Sequence, residues 1–378
     1  MEFSTMVLTM YVAVEDDPAN DERVIGIAVE QALLAAELGY NPWFTEHHFR
    51  GPWHSNPIQF ASYIAPQIPQ DRYLGFGVIS VPYYHPVRLV ESMNQLDQLT
   101  KGRTLYGLGS GFPGIEPLGL GLEADYHRSG QATEDMLEIM ERLWDFKTGD
   151  SDYVFDTPTQ KGIIKRRVTP SAYRKRRPTV IRTASRDSSV VKAAQRGMPA
   201  FLGAFSAESS LRDQLRAYRA VLASSGHSAE TIEDCQRWCT CDWLAVVVAD
   251  TDEEAQARAK LARAEHLAMR NAYVERYGQI MGPVVERQPG KATAAAYAAG
   301  GDMHNLIAGT PDTVAQKVQA LADLGLNHLL LRFLGEWPGE TRWISESSMR
   351  LFASDVAPRF RHLPALRDPQ GIDLQAAE

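Results

Sequence analysis

Between positions 44 and 49 the chain reads Phe44-Thr45-Glu46-His47-His48-Phe49, a carboxylate followed by two imidazoles. Imidazole is the side chain whose ordinary protonation range lies nearest neutral pH, so a histidine at a pocket can take up and return a proton. Either ring alone is more often structural than catalytic. At the end of a strand, however, successive side chains point to opposite sides, so one ring can face a cleft while the other packs outward. A metal site drawn from His47, His48, His54 and an acid lacks H-E-x-x-H or any other favoured ligand spacing.

A second segment, Gly109-Ser110-Gly111-Phe112-Pro113-Gly114, has the letter pattern of a dinucleotide fingerprint. A true fingerprint opens a helix at once, so that the helix N-terminus meets the pyrophosphate. Here Pro113, Pro117, Gly119 and Gly121 stand against a helix, and a wide glycine loop that lets a planar ligand approach the backbone is the better account. A third segment, Thr183-Ala184-Ser185-Arg186-Asp187-Ser188-Ser189, precedes a helical pattern and offers hydroxyls, backbone N–H groups and a guanidinium to a phosphate. Simple capping by Asp187 or Ser188 is the competing reading. Arg128, beside Tyr126 and His127, either completes a phosphate clamp or is exposed. Neither a G-x-S-x-G elbow nor a P-loop occurs, which removes support for serine hydrolase and NTPase chemistry.

The elements that must position these segments alternate. Met6 to Val14, Pro42 to Thr45, Leu74 to Val81, Thr104 to Leu108, Thr179 to Thr183, Ala200 to Leu202, Arg237 to Val248 and His328 to Phe333 read as eight apolar strands. Between them lie helical patterns such as Val24 to Leu38, Ile58 to Ile68, Val87 to Leu99, Glu134 to Phe146, Ser188 to Arg196, Leu211 to Ala223, Asp252 to Met269 and Pro311 to Leu324. A final helix is expected from about Arg342 to Val356. Strands too apolar to face water, alternating with helices, predict a parallel sheet covered outside by helices, and eight strands is the count that closes a (β/α)8 TIM barrel. One domain is expected over 1–378, interrupted by insertion loops at about 147–178 and 270–303.

Composition agrees with a globular enzyme. Of 378 residues 44% are hydrophobic and 23% charged, and 39 Lys+Arg against 47 Asp+Glu leave a net charge of −8. That balance opposes general nucleic-acid binding, which needs excess positive charge to displace counterions. The seven basic residues among positions 165–177 are read as a solvated loop. Cys235, Cys239 and Cys241 form neither a disulfide framework nor a zinc pattern, and with no basic-then-apolar leader or membrane-length apolar run a cytoplasmic location is expected.

Taken together, Glu46-His47-His48-Phe49 with Asn56-Pro57, His85-Pro86-Val87-Arg88, the stretch Leu96 to Arg103, Pro170 to Tyr173, Gly309-Thr310-Pro311 and Leu351 to Pro358 resemble the bacterial luciferase-like flavin monooxygenases. The resemblance runs through nearly the whole chain and implies the same barrel. It implies reduced FMN, O2, a flavin hydroperoxide and transfer of one oxygen atom to a small organic substrate. It places His47 by the flavin as the catalytic acid/base and His48 nearer a homodimer interface. Cofactor contacts implied are a cis peptide at Gly77-Val78, the turn at Gly109 and Ser110, and phosphate anchors at Arg128, Ser185, Arg186, Ser188 and Ser189.

Light-emitting members carry a cysteine and an arginine where this chain has Gly109 and Ser110, which takes one charge from the phosphate site and opens space beside the ring. The resemblance thus points away from light emission. Trp53, Tyr83, Tyr84 and Phe112 are candidate pocket walls, though core packing explains aromatics equally well. No nicotinamide-binding domain is visible, so a separate flavin reductase is the expected partner, with neither nucleic acid nor membrane. Two other readings stand beside this one: a deazaflavin-dependent oxidoreductase on the same fold, and a noncatalytic flavin-binding subunit, against which His47, His48 and Arg128 argue.

Overall fold

The computed structural model describes residues 1–8, 18–49, 55–111, 115–184, 187–202, 208–241, 244–277, 306–337 and 339–361. Strands and helices alternate through most of the chain. They are β1 Glu2–Val7, α1 Pro18–Glu37, β2 Asn41–Phe44, α2 Pro57–Ile64, β3 Leu74–Ser80, α3 Pro86–Thr100, β4 Thr104–Gly109, α4 Ile115–Gly119, α5 Ala124–Ser129 and α6 Gln131–Asp145. The hairpin β5 Tyr153–Asp156 and β6 Lys161–Ile164 follows, then β7 Thr179–Ala184, α7 Asp187–Gln195, β8 Ala200–Leu202, α8 Glu208–Ser224 and α9 Ala229–Trp238. The chain continues with β9 Thr240–Cys241, β10 Leu244–Val248, α10 Asp252–Tyr277, β11 Leu306–Gly309, α11 Pro311–Asp323, β12 His328–Phe333, α12 Arg342–Leu351 and α13 Pro358–Arg361.

Local chemistry accounts for several starts. Asn56 accepts the Gln59 N–H at 3.3 Å and Pro57 occupies the first turn of α2, where its missing donor costs nothing. Thr310 caps α11 in the same way through Thr313 N–H, again with a proline just inside. Lys101 ends α3 in the left-handed region at φ 57°.

Ten strands form one parallel, curled sheet in the order β11-β10-β12-β1-β2-β3-β4-β7-β8-β9. The parallel α/β reading is thus met, while the strand count differs from eight. Arg237 to Val248 is not one strand: α9 runs through Trp238, and the remainder is split into β9, which pairs with β8, and β10, which pairs with β12. The two pieces of consecutive chain therefore serve opposite ends of the run. Side chains tie those ends together: the Arg237 guanidinium meets Glu2 at 2.6 Å, and the rings of Trp238 and His328 sit 5.4 Å apart.

Met6, Leu8, Trp43, Leu105, Ile181, Trp238 and Leu330 fill one face of the sheet, and larger apolar clusters lie between its other face and the helices. α6 shows the logic: Met136, Leu137, Ile139, Met140 and Leu143 recur at helical spacing and are buried, leaving charged residues between them outside. No described helix is long and apolar enough to cross a membrane. The three cysteines are free and buried, and burial pushes the Cys235 thiol up to about 11 and Cys239 to about 12.

Other expectations need correction. β1 starts at Glu2 rather than Met6 and ends at Val7, with 9–17 outside the described residues. The Gly- and Pro-rich stretch after β4 holds two short helices, α4 and α5, despite its Pro117, Gly119 and Gly121. α10 continues to Tyr277, so the expected insertion from 270 begins as helix, and 278–305 lies outside the described residues. In the other insertion, 147–178, Val154 pairs with Ile163 across the β5-β6 hairpin. Its basic run is only partly solvated: Arg176 pairs with Glu141 and Asp145 at 2.6 Å, Lys175 with Asp234 at 2.5 Å, and Arg177 donates to the Gly197 carbonyl at 2.9 Å.

Candidate active site

The carboxyl ends of β2, β3 and β4, neighbours in the sheet, bring the first two chemical segments together. β2 ends at Phe44, and Thr45, Glu46, His47 and His48 follow without regular structure. The two imidazoles turn to different carboxylates. His47 Nδ1 lies 3.0 Å from Glu116 Oε1 on α4, and Glu116 is buried. His48 Nε2 lies 2.8 Å from Glu46 Oε1, also buried.

Glu46 is satisfied from several sides. Its other oxygen accepts the Ser80 N–H at 2.8 Å, and Tyr84 also bonds to it. Burial nevertheless pushes the Glu46 carboxyl up, and the bond to Glu46 pushes the His48 imidazole up. Tyr84 is raised by the same burial. Tyr83, the residue before it, sits differently: its ring meets His48 edge-on at 5.6 Å and stacks near His127 at 6.1 Å, and its hydroxyl donates to Glu116 Oε2 at 3.4 Å. His127, on α5, donates through Nε2 to the Ser110 carbonyl at 2.5 Å and so fixes the turn that leaves β4.

The expected cis peptide at Gly77-Val78 is present. At the same place the β3–β4 register shifts between Gly77 and Ile79. β3 is otherwise buried, but Gly77 and Val78 are half-buried, as are Ser110 and Gly111 at the end of β4. The glycines are needed for contact. A Cβ on Gly109 would lie 2.7 Å from Val78 Cγ2, and one on Gly107 would lie 2.3 Å from the Phe76 carbonyl oxygen. Beneath this wall, Trp43 stacks with Phe201 at 6.3 Å and fills the space beside Gly75.

These residues fit a planar flavin ring: they give a smooth, half-exposed glycine and valine wall, and the buried Thr45 Oγ1 next to it has no hydrogen-bond partner. At the expected phosphate end, Ser188 is exposed and Ser189 half-buried in the first turn of α7, beside Asp187. Ser185, Arg186, Trp53, His54 and Phe112 lie outside the described residues, and Arg128 is placed only as backbone in α5. Among the described residues no group of three or more His, Cys, Asp or Glu side chains is arranged to hold a metal ion.

Thus the structure brings His47, Gly77, Val78, Gly109, Ser110 and Tyr83 to adjacent strand ends. Sequence reasoning missed Glu116 and His127. Glu116 stands between Ile115 and Pro117 in a stretch read as loop, and only the tertiary fold buries its carboxylate against His47.

A family model described as luciferase-like monooxygenase matches residues 1–328. An alkanal monooxygenase alpha chain of the Kryptophanaron alfredi symbiont is 25% identical over 244 residues, 64% of this chain and 64% of its own, so the match spans just under two thirds of that relative. The 4-hydroxyprotoasukamycin monooxygenase of Streptomyces nodosus subsp. asukaensis is 29% identical over 356 residues, covering 88% of this chain and 86% of its own. Among solved structures, the oxygenating constituent of 3,6-diketocamphane monooxygenase of Pseudomonas putida, a type II Baeyer-Villiger enzyme in complex with FMN, superimposes with TM-score 0.71 at 18% identity, covering 95% of this chain and 98% of its own. An F420-dependent secondary alcohol dehydrogenase superimposes with TM-score 0.66 at 14% identity, covering 97% and 100%. These structural likenesses speak to the fold.

Proposed function

Because the chain belongs to the luciferase-like monooxygenase family, we propose that it is a flavin-dependent monooxygenase that takes reduced FMN from a separate reductase and uses O2 to oxygenate a small organic substrate. The observation that carries this reading is the pairing of a half-buried imidazole, His47, with the buried carboxylate of Glu116 at the same strand ends as the Gly77-Val78 wall. Reduced flavin, when bound, supplies the electrons that activate O2. The chain's own tasks are to hold the ring against Gly77, Val78 and Gly109, to keep water from it, and to handle a proton at His47. Arg128, Ser185, Arg186, Ser188 and Ser189 form the proposed phosphate anchor, with Trp53, Tyr83, Tyr84 and Phe112 around the substrate.

We include in this reading closure of the curled sheet as a (β/α)8 barrel, with β9 and β10 counted as one interrupted strand and β11, which pairs only with β10, left outside the ring of eight. A homodimer through α2 and α3 also belongs to it; Tyr63 and Leu99 on these helices are exposed. The test has two arms. Fluorescence titration should give tighter binding of FMN than of riboflavin, because a phosphate gains charge-assisted hydrogen bonds. Mixing the chain and photoreduced FMN with O2 in a stopped-flow instrument should give a flavin absorbance transient that free FMN lacks. Equal binding of both flavins would remove the phosphate site. No protein-dependent transient, with hydride transfer to or from a deazaflavin in the absence of O2, would favour the dehydrogenase reading that the F420-dependent fold neighbour suggests.

A further inference from the structure

α4 is five residues long and carries one buried carboxylate, Glu116. A carboxylate in such a place needs donors. It has His47 Nδ1 at 3.0 Å on Oε1 and the Tyr83 hydroxyl at 3.4 Å on Oε2. A carboxylate oxygen accepts, so the 3.0 Å contact assigns the hydrogen to the ring nitrogen that faces it, Nδ1. In a neutral imidazole that leaves the lone pair on Nε2, across the ring from Glu116. His48 is oriented differently: there it is Nε2 that meets the carboxylate of Glu46.

We propose that Glu116 is a positioning residue that locks His47 as the Nδ1–H tautomer and makes Nε2 the atom that exchanges the proton during oxygenation. The idea rests on the function proposed above. A proton taken at Nε2 turns the ring into an imidazolium that donates from both nitrogens, and the charge is then faced by Glu116 at hydrogen-bond distance. Returning that proton restores the neutral Nδ1–H ring. Glu116 exchanges no proton in this step; its part is to position His47. Tyr83 holds the second oxygen and thereby sets the angle of the carboxylate.

The test uses the full chain labelled with 15N-histidine, free of flavin, with the His47 ring signals assigned by difference from His47→Gln. Two-bond nitrogen–proton correlation spectra report which ring nitrogen bears the hydrogen. The wild type should show Nδ1–H, and Glu116→Gln should keep it, because the carboxamide oxygen still accepts, while Glu116→Ala should lose it. Tyr83→Phe should keep it too, and supplies a reading should Glu116→Ala fail to fold. In the stopped-flow assay Glu116→Gln should slow the protein-dependent transient at least tenfold and change its pH profile, with FMN affinity within threefold of wild type. Glu116→Asp should recover part of the rate.

An Nε2–H ring in the wild type overturns the proposal, and so does an unchanged tautomer in folded Glu116→Ala. A correct tautomer pattern combined with normal oxygen reaction in His47→Ala overturns the proton role and the function reading together, leaving Glu116 as a structural contact.

Discussion

His48 donates from Nε2 to Glu46 Oε1 at 2.8 Å, a pair two residues apart that the fold buries beside the candidate site. The bond raises the His48 imidazole above its ordinary value. A folded chain that binds a proton more tightly than the unfolded one is stabilised below the unfolded value and loses that contribution as pH rises through the folded one. Thermal unfolding of the wild type should therefore shift to lower temperature as pH rises above the ordinary imidazole value of about 6.5. In His48→Gln this slope should shrink. The same slope in both proteins would show that other groups set it.

His328 gives the opposite dependence. Its Nδ1 faces the Trp238 carbonyl at 3.4 Å and its Nε2 the Ser4 hydroxyl at 2.7 Å, a neutral arrangement in which Ser4 donates. Full burial lowers the imidazole to about 4. The neutral ring's stability is complete above about 6.5 and is lost as pH falls from there toward 4, a loss of roughly 3 kcal/mol when integrated. Urea titrations at a series of acid pH values should show it, and His328→Gln should flatten the acid limb even if the variant is less stable throughout. A wild type equally stable at pH 6.5 and 4.5 would contradict this.

Two neighbouring inward glycines should fail in different ways. Gly107→Ala brings a methyl to 2.3 Å from a backbone oxygen, which nothing nearby can yield cheaply, so the variant should be severely destabilised or insoluble. Gly109→Ala meets the Val78 side chain at 2.7 Å. It should fold, as judged by circular dichroism, yet bind FMN at least tenfold more weakly, because Val78 is pushed into the ring's place. Wild-type FMN affinity in Gly109→Ala would take the wall assignment away.

The two histidines should separate chemistry from scaffold. His47→Ala should keep FMN affinity within a few-fold and slow the oxygen-dependent transient roughly a hundredfold, the scale of a lost acid/base group. His48→Ala takes one hydrogen-bond partner from the buried Glu46, leaving Ser80 and Tyr84, and should lower stability instead. Reversal of these two outcomes would mean the roles are exchanged.

Periodicity made the parallel architecture readable, since strand and helix runs such as Leu74 to Ser80 and Pro86 to Thr100 are bounded by their own chemistry. Where local preference and tertiary context disagreed, reading failed. α4 contains Pro117 and Gly119, residues that oppose a helix, and forms a single turn only where Glu116 can reach His47 and Tyr83. β9 and β10 read as one apolar run because both are buried, and nothing in their composition reports that they pair with different neighbours. The cis bond at Gly77-Val78 was legible only through the family resemblance, for no residue pattern in isolation encodes it.

The seven basic residues of the Lys165–Arg177 segment also divide into two chemically unequal groups. Lys165, Arg166 and Arg167 follow the hairpin on the surface, where Lys165 pairs with Asp152 and Arg167 donates to Ser171 Oγ at 3.0 Å, ties between exposed side chains. The second group is stapled: Tyr173 N–H to Asp97 at 2.7 Å, Lys175 to Asp234, Arg176 to Glu141 and Asp145, and Arg177 to the Gly197 carbonyl. A protease needs the backbone on both sides of the cut bond drawn out into its cleft, and these ties resist that. Brief trypsin digestion of the native chain should therefore nick after 165–167 well before 174–177, leaving two fragments that stay associated until the fold is opened.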